Sequence, residues 1–122
     1  PFRDVARCRF FSLMAPEHSP TIEAAGHGDW LTDLAPVTSP FEALARVVAG
    51  LDVVVTICTS VAHLAGAMGK PTFLMLSRTP DWRWGRAGAE TPWYPSVRIF
   101  RQRRFGRWDD VVRDVAAALE AL

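Results

Sequence analysis

Residues 51–57 read Leu-Asp-Val-Val-Val-Thr-Ile, a short run rich in β-branched side chains and interrupted only by Asp52 and Thr56. Such a run suits a parallel strand covered on both faces, where neither alternate set of side chains meets water. Cys58-Thr59-Ser60 follow at once as a turn, and Val61, Leu64, Ala65 and Met68 then form one apolar stripe at helical spacing, ended by Gly69 and Pro71. A further strand at 72–76 completes strand, helix, strand. That order commits the chain to an α/β fold with a mainly parallel sheet, in which 51–57 is expected to be the central strand.

The flanking segments extend the same order. Residues 8–14 read as a strand closed by Ala15-Pro16, and 15–40 as a connector with one helical turn near 21–25 and a short strand at 30–34. Ser39, Pro40 and Glu42 mark a helix start with Pro40 in its first position, Phe41, Leu44, Ala45, Val48 and Ala49 give it helical spacing, and Gly50 is expected to stop it. Beyond a long aromatic loop at 77–95, a strand at 97–100 and a closing helix carrying Trp108, Val111, Val112, Val115 and Leu119 are expected.

Composition narrows the class further. The chain has 122 residues, 49% apolar and 22% charged, which is enough for one domain with a real core and excludes a disordered or fibrous chain. No apolar run approaches the roughly 20 residues of a membrane span, and no signal-peptide pattern opens the sequence, so a cytoplasmic protein is expected. Two cysteines, Cys8 and Cys58, make neither a disulfide framework nor a zinc site and are expected as free thiols. Because the chain opens on Pro1 rather than Met, it is expected to be a processed or excised piece of something longer.

In open α/β sheets, ligands bind beyond the carboxyl ends of the strands, where helix amino termini present unpaired N–H groups. Cys58, Thr59 and Ser60 occupy that position. Thr59 or Ser60 can cap the helix or hydrogen-bond a phosphate oxygen, and His63, one turn on, is either within reach of the same anion or a partly buried, hydrogen-bonded histidine. Gly66 would let another backbone approach the helix closely. Trp82, Trp84, Trp93 and Tyr94 place three indoles and a phenol on one loop. They can stack on a nucleobase or a sugar, or fold back over the sheet as a satellite core.

Arg98, Arg101, Arg103, Arg104 and Arg107 crowd ten residues, as a nucleic-acid patch would. The net charge is only +1, the aromatic residues are not interleaved with the arginines, and Lys70 is the one lysine. A solvated edge or a contact surface for another domain fits better, although one or two of these guanidinium groups could help hold a diphosphate.

Taken together, 51–55, Thr59 to Pro71, Asp81-Trp82-Arg83-Trp84, Pro92-Trp93-Tyr94-Pro95 and Phe100-Arg101-Gln102 resemble the carboxy-terminal domain of heptosyltransferase-like glycosyltransferases. Such domains commonly end bacterial tetratricopeptide-repeat (TPR) proteins and are more distantly similar to O-linked N-acetylglucosamine (O-GlcNAc) transferases. The resemblance runs from about residue 8 to 120. It implies one Rossmann-like half of a GT-B fold over 1–122, lacking its first strand, that binds a nucleoside-diphosphate sugar. The catalytic base would come from the missing amino-terminal half, so no catalytic residue is assigned here. Substrate-binding residues would be Cys58, Thr59, Ser60, His63, Trp82, Arg83, Trp84, Trp93 and Tyr94. No metal or other cofactor is implied.

Two departures matter. Cys58 stands where the family pattern usually has an aspartate suited to sugar hydroxyls, and Met14 and Ala15 stand where it often has glutamine followed by lysine. Both remove polar groups from the expected donor pocket. They favour a rival reading, a degenerate, non-catalytic transferase-like module that binds a partner or packs on its own repeats.

Overall fold

The computed structural model describes residues 1–122. Where apolar and β-branched runs are expected to form strands they do: β1 (Phe10–Ser12), β2 (Leu31–Asp33) and β3 (Val54–Thr56) over fewer residues than expected, β4 (Thr72–Leu76) as expected, and β5 (Val97–Arg101) one residue longer. Between and after them lie α1 (Pro20–Ala24), α2 (Phe41–Gly50), α3 (Ser60–Ala67) and α4 (Asp109–Glu120). All strand pairs are parallel, β1 with β2 in one sheet and β3-β4-β5 in another. The Rossmann-like α/β arrangement of parallel sheets with flanking helices is therefore the one observed. No helix is long and apolar enough to cross a membrane.

The chain divides into two compact units, Ala6–Gly50 and Pro1–Val5 with Leu51–Leu122. In the first, β1 and β2 run in register from Phe10 opposite Leu31 to Ser12 opposite Asp33. Asp33 accepts the Ala35 amide at 3.0 Å, and the Ser19 hydroxyl and that amide hold its carboxyl below the usual aspartate value. Helix α2 starts at Phe41, one residue after Pro40, and includes Gly50 as its last residue instead of stopping before it. Leu44 and Val48 of its apolar stripe are buried, whereas Phe41 is exposed.

The second unit corrects the expectation of a central strand at 51–57. Only Val54–Thr56 pair, and β4 lies between β3 and β5. The reason is burial: Thr72, Leu74 and Leu76 of β4 are at most 1% exposed, while Asp52 and Ile57 at either end of the apolar run face water. Thr72 is tolerated at full burial because its hydroxyl donates to the Lys70 carbonyl at 2.8 Å. Register aligns Thr56 with Leu74 and Leu74 with Ile99, so the carboxyl ends of all three strands lie at one edge of the sheet.

Helix α3 makes the crossover from β3 to β4, and Gly69, with φ +68, takes the left-handed turn that releases the chain from it. Helix α4 buries Val111, Val115, Ala116 and Leu119 and carries Asp109 and Asp110 in its first turn, where carboxylates complement the helix dipole. The core of this unit joins Ala62 of α3, Leu74 and Leu76 of β4, Val97 and Ile99 of β5, and Trp84 from the long loop.

Candidate functional site

The carboxyl edge of β3 opens directly into α3. Cys58, Thr59 and Ser60 are all exposed there. Thr59 occupies the N-cap position with extended backbone, φ −140 and ψ 175, but its side chain does not cap the helix. Its Oγ1 instead lies 3.2 Å from the Thr56 hydroxyl and donates to the Ile57 carbonyl at 3.4 Å. Of the two readings open for Thr59, capping is the one the structure does not adopt. The helix entrance keeps first-turn N–H groups that no side chain of the turn covers.

His63 lies one turn along, half-buried among rings. Its imidazole stacks on Trp84 with centroids 5.1 Å apart and an interplanar angle of 26°, and its Nδ1 is 2.9 Å from the Tyr94 hydroxyl. Trp84 in turn donates its indole N–H to Cys58 Sγ at 3.1 Å. Four of the residues singled out from the sequence, Cys58, His63, Trp84 and Tyr94, thus form one continuous cluster. Cys58 is exposed, so it is not a core thiol, and it is free, as is Cys8.

Gly66 explains how Tyr94 reaches this position. A Cβ there would lie 2.5 Å from Tyr94 Cγ, so the missing side chain admits an aromatic ring against α3. The close approach expected at Gly66 is real, but it is made by a ring and not by another backbone.

Trp82, Arg83 and Trp93 are on the outside of the same loop. Asp81 caps a single 3-10 turn, Trp82–Trp84, by accepting the Arg83 amide at 3.0 Å. That amide is the main cause holding the Asp81 carboxyl below its ordinary value, with the Arg83 guanidinium and His63 adding smaller effects. The Arg83 guanidinium pairs with the same carboxylate at 3.0 Å and lies 4.8 Å over the Trp82 ring. Trp93 donates its indole N–H to the Arg83 carbonyl at 3.1 Å. Trp82 is 73% exposed and Trp93 60%. The structure therefore divides the aromatic loop: Trp84 and Tyr94 pack on the sheet, and Trp82, under the Arg83 guanidinium, and Trp93 stay exposed.

Arg101, grouped by sequence with the edge arginines, has a different role. Its guanidinium donates to the carbonyls of Trp84, Gly85, Ala87 and Gly88 at 2.6 to 3.2 Å and so ties down the loop's first half. Partial burial lowers its pKa from the usual arginine value, yet a guanidinium remains charged. Of its neighbours, Arg103 pairs with Asp110 and Asp114, Arg107 with Asp109, and Arg98 lies over the Phe100 ring. Acidic side chains of α4 thus offset much of the basic run. Nothing local in the sequence marks Arg101 as a loop tie. Asp81, by contrast, carries a local signal that the reading of 77–95 as a loop passed over, an aspartate of the type that caps a short turn.

A concavity of about 240 Å³ between Ala89, Glu90, Pro95, Ser96, Val97 and Arg98 opens at the amino end of β5, away from the strand ends that bear the cluster. No three His, Cys, Asp or Glu side chains come together as a metal site would require.

A parallel α/β unit with Thr59-Ser60 and His63 at the start of a helix, and the Trp82–Trp84 turn beyond β4, is matched by the family model for glycosyltransferase family 9 (heptosyltransferase) over residues 13–116. The chain belongs to this family. The family-9 match runs through both compact units. The chain is also 33% identical over 98 residues to Protein FlbA of Caulobacter vibrioides, a stretch that is 80% of this chain but 16% of that protein. This family-9 chain thus spans about 16% of the length of the curated relative it matches.

Proposed function

We propose that this chain is the donor-binding half of a glycosyltransferase that moves a sugar from a nucleoside-diphosphate sugar to an acceptor hydroxyl. The observation that carries the reading is the uncapped entrance of α3. In a family-9 chain, exposed Thr59 and Ser60 stand at a helix start whose N–H groups are not used by a side-chain cap. Backbone N–H groups and the positive end of the helix dipole suit a diphosphate. Trp82 and Trp93, exposed on the loop beyond β4, would offer ring faces for a base or sugar. Cys58, Ser60, His63, Arg83, Trp84 and Tyr94 would complete or support the pocket, His63 and Tyr94 by setting the shape of its wall.

In transfer, the acceptor oxygen attacks the anomeric carbon while the bond from that carbon to the diphosphate oxygen breaks. A base removes the hydroxyl proton, and the nucleoside diphosphate leaves with the bonding electron pair. Donors fixed at the α3 entrance would oppose the charge that grows on this leaving group, without reorganising as they do so. The base and the acceptor site would come from the rest of a longer protein, in our reading helical repeats and an amino-terminal half that this domain follows, acting in the cytoplasm. Residues 1–122 by themselves should then bind a donor without turning it over, because positioning of acceptor and base supplies much of the barrier reduction.

One observation favours a second reading. An exposed thiol, Cys58, stands where a carboxylate would serve sugar hydroxyls better, as a degenerate partner-binding module would allow. Titration with a panel of nucleoside diphosphates and nucleotide sugars, followed by amide NMR shifts, separates the two. The donor-binding reading expects the largest shifts at 59–62. No shift there at millimolar ligand, with or without shifts at 101–107, rejects it.

A further inference from the structure

The sequence directs attention to Arg83 as the cation beside the donor, but Arg83 is already paired with Asp81. Arg78 is placed differently. It follows β4, the middle strand of its sheet, at the edge where all three strands end, and it is exposed. Its amide donates to Gln102 Oε1 at 3.3 Å, and its guanidinium donates to the Arg103 carbonyl at 3.4 Å, a neutral partner. Gln102 continues β5 beside it and donates its own amide to the Leu76 carbonyl at 2.9 Å.

Gln102 is 5% exposed, and its carboxamide nitrogen is buried without a hydrogen-bond partner. The oxygen is used on the Arg78 amide, so turning the carboxamide over would sacrifice that bond and bring no acceptor to the nitrogen. A buried donor pair without an acceptor, on the side chain that holds the Arg78 backbone amide, stands next to a residue whose exposed guanidinium meets only a neutral carbonyl, and an oxyanion would satisfy both.

We propose that Arg78 is the side chain that binds the diphosphate of the donor, and that Gln102 is its positioning residue, holding the loop after β4 and supplying N–H donors once that loop settles on the anion. The proposal rests on the donor-binding reading above. Arg78→Met keeps the apolar stem and removes the charge. Charge-assisted hydrogen bonds of this kind correspond to a loss in affinity of roughly tenfold to a hundredfold. The expected result is such a loss for UDP and ADP, partial recovery in Arg78→Lys, and no change for uridine or adenosine. Arg113→Met, which removes the same charge from the exposed face of α4, should change affinity less than about twofold, as screened charges do. Gln102→Met should weaken the same ligands by a smaller factor and speed hydrogen exchange of the Arg78 amide.

Inorganic pyrophosphate serves as the probe that keeps the two readings apart. If UDP and ADP leave 59–62 unmoved while pyrophosphate still binds, and binds more weakly to Arg78→Met, the anion site stands and the donor-binding reading falls. If UDP or ADP shifts 59–62 and binds Arg78→Met as tightly as the unaltered chain, the donor reading stands and the proposal is overturned.

Discussion

Trp82 and Trp84 sit two residues apart on one 3-10 turn, and one is 73% exposed while the other is 2% exposed. With three residues per turn, positions two apart point away from each other, so a single turn sends one indole into the core and the other into water. Trp93 and Tyr94, later in the same loop, divide similarly, Trp93 exposed and Tyr94 half-buried against the core. The inner pair, with His63 and Gly66, forms a lock between the loop and α3. The outer pair is held by the Arg83 guanidinium over Trp82, by the Trp93 bonds to the Arg83 carbonyl and the Thr91 hydroxyl, and by the Asp81–Arg83 pair. One loop therefore combines a side that sets its conformation with a side left in water, and sequence proximity does not say which residue belongs to which.

The largest expected effect comes from breaking the inner side. Trp84→Ala should cost about 3 to 5 kcal/mol of unfolding free energy, as for other buried aromatic truncations, read as a lower denaturant midpoint with unchanged slope. Trp82→Ala should stay within about 0.5 kcal/mol in the same experiment. Equal losses for the two would abolish the distinction between the sides.

Gly66→Ala tests the lock without removing a ring. The added methyl meets Tyr94 at 2.5 Å, so overpacking should cost about 1 to 3 kcal/mol. The near-ultraviolet circular dichroism of the loop aromatics should change with it. A neutral effect would mean that Tyr94 moves aside freely.

Tyr94→Phe sharpens the comparison by deleting only the hydroxyl that meets His63. A loss of about 0.5 to 1.5 kcal/mol is expected, together with a shift of the His63 imidazole resonances. Unmoved resonances would show that the pair is not formed in solution.

Smallest is the effect of acid on the outer side. The carboxyl of Asp81 is held below its ordinary value of 3.8, so the order it contributes is fully present above that value. It is lost as the pH falls through the lowered value. Trp82 and Trp93 emission should therefore respond in this window only below pH 4 or so, while Trp84 should follow global unfolding. Asp81→Asn should remove the outer response and spare the inner one.

Much of this architecture was legible because it depends on local pattern. The β-branched run before Cys58, the stripe from Val61 to Met68 and the Gly69-Lys70-Pro71 stop specify strand, helix and turn within a few residues of where they occur. The apolar spacing from Val111 to Leu119 likewise announces α4. What pattern could not supply was rank and direction. The strand expected at the centre lies at one end of its three-stranded order, because centrality depends on which strand has neighbours on both sides. Arg101 is chemically the same as Arg103, yet one binds four loop carbonyls and the other the aspartates of α4. Local sequence pattern thus determined the parallel α/β class and the helix entrance at Thr59, since strand and helix formation respond to side chains close in sequence. The tertiary structure alone decided which tryptophan is buried, which arginines meet a carboxylate and that Gln102 lacks an acceptor. Each of those depends on groups brought together from distant parts of the sequence, where burial and hydrogen-bond partners are settled only once the chain has packed.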